Sequence, residues 1–250
     1  FKWCKGVDKD SDAANFLRNL FRTVDIKQPK AIIVLSAHWE EDVCTVQVNK
    51  KPELYYDYGG FPPETYKLKW DVPGAPDVAK RVKSLLESKG IKCREDTSRG
   101  LDHGVFVPLK LAIPKADIPV FQVSLLSSLN MGDNLKIGEA LLELSKDEIL
   151  ILGSGSATHA DDGMHDKEAA DWAIQFKHWI HDTVSNPKYT PEERKAKFLT
   201  CNSEPFFEKA HPRIEHFLPI AMSCAAAGYK PGKVIHSEFI GSLLNEHYLF

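Results

Sequence analysis

An α/β domain with a central, mostly parallel sheet flanked by helices is the fold class this sequence predicts. Two observations carry that reading. Short, uninterrupted apolar runs rich in β-branched residues, at 31–35 and 148–152, have the composition of strands buried on both faces. Between such runs lie longer stretches with the 3.6-residue periodicity of amphipathic helices. Strands alternating with helices imply βαβ units. The 250 residues contain no repeat, low-complexity tract or linker, so a single domain spanning 1–250 is expected. In such a sheet the chemistry gathers at the carboxyl ends of the strands.

The elements follow in order. Residues 12–23 put Leu17, Leu20 and Phe21 on one helical stripe. The run 31–35 is a buried strand, and 43–48 its neighbour. Segment 53–66 carries Tyr55, Tyr56, Tyr58 and Tyr66 with Gly59-Gly60 and Pro62-Pro63, the make-up of a long, ordered loop of the kind often used for binding. A helix over 76–89 opens on Pro76 and stops at Gly90. A strand starts at 91–94, a helix covers 105–112, a strand 118–123 and a helix 132–145. The strand at 148–152 runs into a glycine-rich turn. Residues 167–184 form an amphipathic helix, and 214–227 another, entered through Pro212.

Composition excludes some functions. The formal net charge is -3 and no basic block is present, so phosphate-driven nucleic-acid binding is not expected. No apolar run approaches the roughly 20 residues that span a bilayer. Cys4, Cys44, Cys93, Cys201 and Cys224 are odd in number and dispersed, with no CxxC pair. Free thiols in a reducing, cytoplasmic setting are expected. The chain starts with Phe1 rather than Met, which leaves targeting open.

Four histidines occupy turn-like settings. Ser36-Ala37-His38-Trp39 lies where a buried strand emerges. Leu101-Asp102-His103-Gly104 precedes a helix, where Asp102 either orients a histidine or caps that helix. Gly153-Ser154-Gly155-Ser156-Ala157-Thr158-His159 follows a strand. It lacks both the Gly-Lys-Ser/Thr ending of a phosphate loop and the spacing of a nucleophilic-serine elbow. His211-Pro212-Arg213-Ile214-Glu215-His216 opens a helix, where adjacent residues point about 100° apart, so one of Glu215 and His216 is expected to reach a metal. Imidazole is the usual ligand for zinc and iron and the usual acid/base near neutral pH. His165, His178, His181, His236 and His247 have no such setting and are left out of the site.

Taken in order, these motifs, with Tyr56-Asp57-Tyr58-x-x-Phe61-Pro62 and Glu215-His216-Phe217-Leu218-Pro219, resemble the class III extradiol ring-cleavage dioxygenases, in particular their DOPA 4,5-dioxygenase branch. The resemblance implies one non-haem metal, Fe(II) for catalysis or Zn(II) as isolated, held by His38 and His216, with Glu215 the weaker candidate. It makes His159 the acid/base and His103 a second catalytic histidine that holds substrate or oxygen. His211 and Tyr58 are expected along the substrate pocket. The reaction implied inserts both atoms of O2 into a catechol such as L-DOPA and opens the ring to a muconic semialdehyde, with the chain acting as monomer or homodimer. A further ligand is expected from a Ser-His-Gly-Ser-Pro loop, which the resemblance puts on a strand ahead of residue 1. The alternatives are a zinc hydrolase with the same ligands and a non-catalytic relative of the same fold.

Overall fold

A computed structural model of the protein describes residues 10–160 and 166–250. His165 and Cys4 lie outside the described residues. Five strands form the main sheet: β1 (Ala31–Glu41), β2 (Cys44–Gln47), β3 (Cys93–Asp96), β4 (Val120–Leu126) and β5 (Ile149–Ser154), in the order β3-β2-β4-β1-β5. All neighbours run parallel except β2 and β4. The expected sheet and its expected strands are therefore present.

The flanking helices are α1 (Asp12–Arg18), α2 (Leu20–Thr23), α3 (Pro76–Ser88), α4 (His103–Ala112), α5 (Met131–Leu141), α6 (Asp171–Ser185), α7 (Pro191–Leu199), α8 (Phe207–Ala210) and α9 (Leu218–Ala226). Alternation along β1 explains why its apolar run is continuous. Ile33 and Leu35 face a core shared with α3, α5 and α9. Ile32 and Val34 face a second core built on Val105, Phe106 and Leu109 of α4.

Three expectations change. The helix over 12–23 breaks at Asn19, which caps α1 and opens α2. The single helix over 214–227 is a 3-10 turn at Ile214–His216 followed by α9, whose first turn holds Pro219, a residue suited to a position with no hydrogen bond to donate. Finally, an antiparallel hairpin of β6 (Lys233–Ile240) and β7 (Leu243–Leu249) follows α9. Its two-residue turn, Gly241-Ser242, has Gly241 at φ 62°, as a type II′ turn requires.

Side-chain bonds lock these layers. Arg194 of α7 is fully buried and donates to the carbonyls of Tyr229 (3.0 Å), Asn186 (2.6 Å) and Thr183, joining α6, α7 and the end of α9. Pro108 sits inside α4 and has no N–H for the carbonyl of Gly104 four residues back. Ser154 Oγ of β5 donates to that carbonyl instead, at 2.5 Å. Among the described residues, a groove of about 1000 Å³ lies between β5 and β7. Leu150 and Leu152, Leu17 and Phe21, and Leu249 and Phe250 line it, and His216 stands at one end.

His247 of β7 is enclosed by Phe16 (ring centroids 4.8 Å apart) and His236 (5.6 Å). Burial, then the neighbouring His236, pushes its imidazole down to about 4. The unfolded chain thus takes up this proton first as pH falls from 6.5 towards 4. Stability from a neutral His247 is complete above about 6.5 and is lost across that window, by on the order of 3 kcal/mol. Chemical denaturation at pH 7 and pH 4.5 should show a larger loss for the native chain than for His247→Gln. Equal losses would contradict the assignment.

Candidate active site

The strand β1 is regular through Leu35 and then slips. Leu35 pairs with Val123 but Glu40 pairs with Leu125, so extra residues bulge out between them. Bulges re-aim side chains, and the residues released here are Ser36, Ala37, His38 and Trp39. Ser36 Oγ donates to Asp102 Oδ1 at 2.8 Å. The same buried carboxylate accepts from Gln122 Nε2 of β4 (2.9 Å) and from Arg99 (3.2 Å). Asp102 stands at the N-cap of α4, but its side chain caps nothing. It serves as the tie between β1, β4 and the loop leading into α4.

His103 follows at once. Its backbone N–H and ring Nδ1 both meet Asp57 Oδ1, at 2.9 and 2.8 Å. An imidazole that gives its Nδ1 proton to a carboxylate presents a bare Nε2. Burial alone would raise the Asp57 carboxyl, but the hydrogen bonds from His103 outweigh it and hold Asp57 below the usual carboxylate range. His38 lies with its ring 4.0 Å from that of His103 and its Nδ1 3.8 Å from Asp57 Oδ2.

The other half of the site comes from the turn after β5 and the 3-10 turn before α9. The rings of His159 and His216 stack at 3.7 Å, 8° from parallel. His216 is 5.0 Å from His38, so the four motif histidines form one continuous cluster. His216 Nδ1 is 2.9 Å from Glu215 Oε1, a second imidazole oriented by a carboxylate. Glu215 Oε2 is buried and pairs with Arg213 Nη1 at 3.3 Å. Burial, then His159, pushes His216 down to about 4. Burial, then His103, lowers His38 as well. Both are neutral at pH 7, the state in which an imidazole binds a metal.

The glycine turn exists to let these segments touch. Ser156 N–H donates to the carbonyl of His216 at 3.0 Å. A Cβ on Gly155 would fall 2.2 Å from that same carbonyl oxygen. On the other side, a Cβ on Gly104 would meet Ser36 Oγ at 2.9 Å and His38 Cδ2 at 3.0 Å. The hairpin holds the turn from behind, because Leu244 N–H donates to Thr158 Oγ1 at 2.6 Å. His159 N–H donates to the carbonyl of Ala210 at 2.7 Å, and its side chain stays exposed.

The expected pocket residues divide. Tyr58 lies 5.7 Å from His103, edge-on, within a cluster with Phe61 and Tyr66, and its hydroxyl donates to the carbonyl of Thr65. His211 does not line the pocket. It is 3% exposed, packs among Phe176, Phe207 and Phe217, and places Nε2 3.0 Å from the carbonyl of Ala157. Burial pushes it down to about 3. The aromatic residues around it, spread over three elements, form a core that the local motif does not reveal.

An open cavity of about 390 Å³ adjoins the cluster, walled by Glu40, Glu41, Glu215, Arg99 and Arg213. Arg213 clamps Glu40 with two bonds of 2.6 Å. Arg99 lies over the Trp39 ring at 4.9 Å and donates to the His38 carbonyl at 3.0 Å. Asp57, Arg99 and Glu40 come from three different segments. Only the fold brings Asp57 and Arg99 to the histidines, whereas Glu40 follows His38 by two residues on β1 and its role shows only in its bonds to Arg213.

Residues 5–247 match the family described as the catalytic LigB subunit of aromatic ring-opening dioxygenase. Among curated proteins, the chain is 38% identical to the 4,5-DOPA dioxygenase extradiol of Beta vulgaris, over 96% of this chain and 89% of that one. It is 38% identical to the protein of the same name from Portulaca grandiflora, over 90% and 82%. The solved structure of an uncharacterized Escherichia coli K12 protein superposes with a TM-score of 0.77 at 25% identity, covering 96% of this chain and 93% of that one.

Replacing Gly155 with Ala should push the His216 carbonyl away. A loss of 2 kcal/mol or more would lower Tm by roughly 4 °C or more in a chain of this size. Gly59→Ala, where a Cβ meets nothing within 4 Å, is the control and should leave Tm unchanged. Equal melting of both variants would show that the turn has slack.

Proposed function

Starting from the chain's membership of the family of catalytic LigB subunits of aromatic ring-opening dioxygenases, we propose that it cleaves a catechol of the DOPA type by extradiol dioxygenation. The supporting observation is the cluster of four imidazoles, two of them pinned at Nδ1 by carboxylates and two held neutral. Neutral nitrogens in a half-buried, polar cavity suit a borderline divalent ion.

On this reading His38 and His216 hold Fe(II), and Glu215 orients His216. Bound there, Fe(II) would bind and acidify a catechol and activate O2. His159, whose exposed ring stacks on His216, would take a phenolic proton and later return it. His103 directs Nε2 at the substrate oxygens, with Asp57 fixing its tautomer. Tyr58 gives the catechol an aromatic wall. Arg99 and Arg213, alternating with Glu40 and Glu41, give an amino-acid side chain partners of both signs. His211 supports the 157–159 segment.

The protein, loaded with Fe(II) under argon and given L-DOPA and air, should consume one O2 per yellow product formed. His159→Ala should keep its iron and lose about 10²–10⁴-fold in turnover. His216→Ala should lose its iron. Bound metal without O2 uptake from any catechol would overturn the dioxygenase reading and favour a zinc hydrolase.

A further inference from the structure

Cys44 and Cys93 are paired residues on neighbouring parallel strands, β2 and β3, remote in sequence from the histidine motifs. Paired residues point to the same side of a sheet, and neighbouring strands lie about 4.8 Å apart, inside the Cα separation that a disulfide spans. Both side chains pack on the apolar face beneath α3. Cys44 is 1% exposed, whereas Cys93, on the edge strand, is half-buried and reaches solvent.

We propose that Cys44 and Cys93 form a dithiol pair that hydroperoxides oxidise reversibly to a disulfide, with Cys93 as the attacking thiol and Cys44 as the resolving one. The division of roles follows from position. Cys93 stands on the edge strand and reaches solvent, whereas Cys44 is enclosed; the proximity of the two thiols lowers Cys93 and raises Cys44. Lys83 adds a positive charge near Cys93, against the opposing Glu87 and Glu95. A thiolate-like, accessible sulfur beside a protonated, buried one is the arrangement of a redox-active pair.

The chemistry closes without a further reagent. The Cys93 thiolate attacks one oxygen of the peroxide, the O–O bond breaks, and a Cys93 sulfenic acid and hydroxide result. The Cys44 sulfur, giving up its proton, then attacks the Cys93 sulfur. The S–O bond breaks, water leaves, and the disulfide forms. The two thiols together lose two electrons, and the peroxide gains them. A thiol reductant reverses the change. Cys201 and Cys224 are buried without a thiol partner among the described residues, and burial raises both, to about 11 and about 12, so they make poor competitors.

The test treats the folded chain with hydrogen peroxide in the presence of an iron chelator, blocks remaining thiols with N-ethylmaleimide, and maps peptides by mass spectrometry. The native chain should lose 2 Da and yield a Cys44–Cys93 cross-linked peptide that dithiothreitol abolishes. Cys44→Ser should leave a Cys93 sulfenic acid that dimedone traps. Cys93→Ser should leave Cys44 unoxidised at the same peroxide dose. Oxidation of Cys201 or Cys224 ahead of Cys93, or a Cys93 sulfenic acid that persists with Cys44 present, would overturn the proposal. None of these readouts depends on dioxygenase activity.

Discussion

The buried carboxylate of Asp102 is the constraint on which the site depends. A charge removed from water is costly unless donors surround it, and here Ser36, Gln122 and Arg99 supply them from three directions. Each donor fixes something the chemistry needs. Ser36 is two residues before His38. Gln122 belongs to the strand next to β1. Arg99 also grips the His38 carbonyl. Asp102 itself is one residue before His103. One buried carboxylate therefore sets the positions of two histidines from segments 65 residues apart in the chain.

The two halves of the cluster use different materials. His38 and His103 are held by charge: Asp102 behind, Asp57 between. His159 and His216 are held by close backbone contact, with glycine at 155 and the Ser156 bond to the His216 carbonyl. Charge tolerates small shifts in distance, whereas a backbone contact near van der Waals limits does not. That difference suits a site in which one pair of rings must be exact in depth while the other must keep a defined tautomer.

Much of this was legible. The continuous run at 31–35 had to be a strand buried on both faces; the histidine motifs read as turns, whereas His38 stands on β1, His103 opens α4 and His216 closes a 3-10 turn. What the sequence left hidden depended on long-range contact. Asp57 sits in a tyrosine-rich loop with no local sign of its bond to His103. His211 shares a histidine-rich motif with His216, yet Phe176 of α6 closes over it together with its sequence neighbours Phe207 and Phe217. Other features carried local signals that went unread. Gly241-Ser242, between Phe239-Ile240 and Leu243-Leu244, marks a hairpin. Thr190-Pro191-Glu192-Glu193 is a capping box, and the structure shows both of its bonds.

The proline in α4 has a consequence for how the protein breathes. A helix normally satisfies its interior carbonyls by itself, so it can loosen by itself. Here Gly104 relies on a hydroxyl from the last residue of β5. Opening either element strands a polar group of the other. Fluctuations of α4, which begins at His103, and of β5, which leads to His159, are thereby joined into one cooperative unit. The segments that carry His103 and His159 therefore open together or stay closed together.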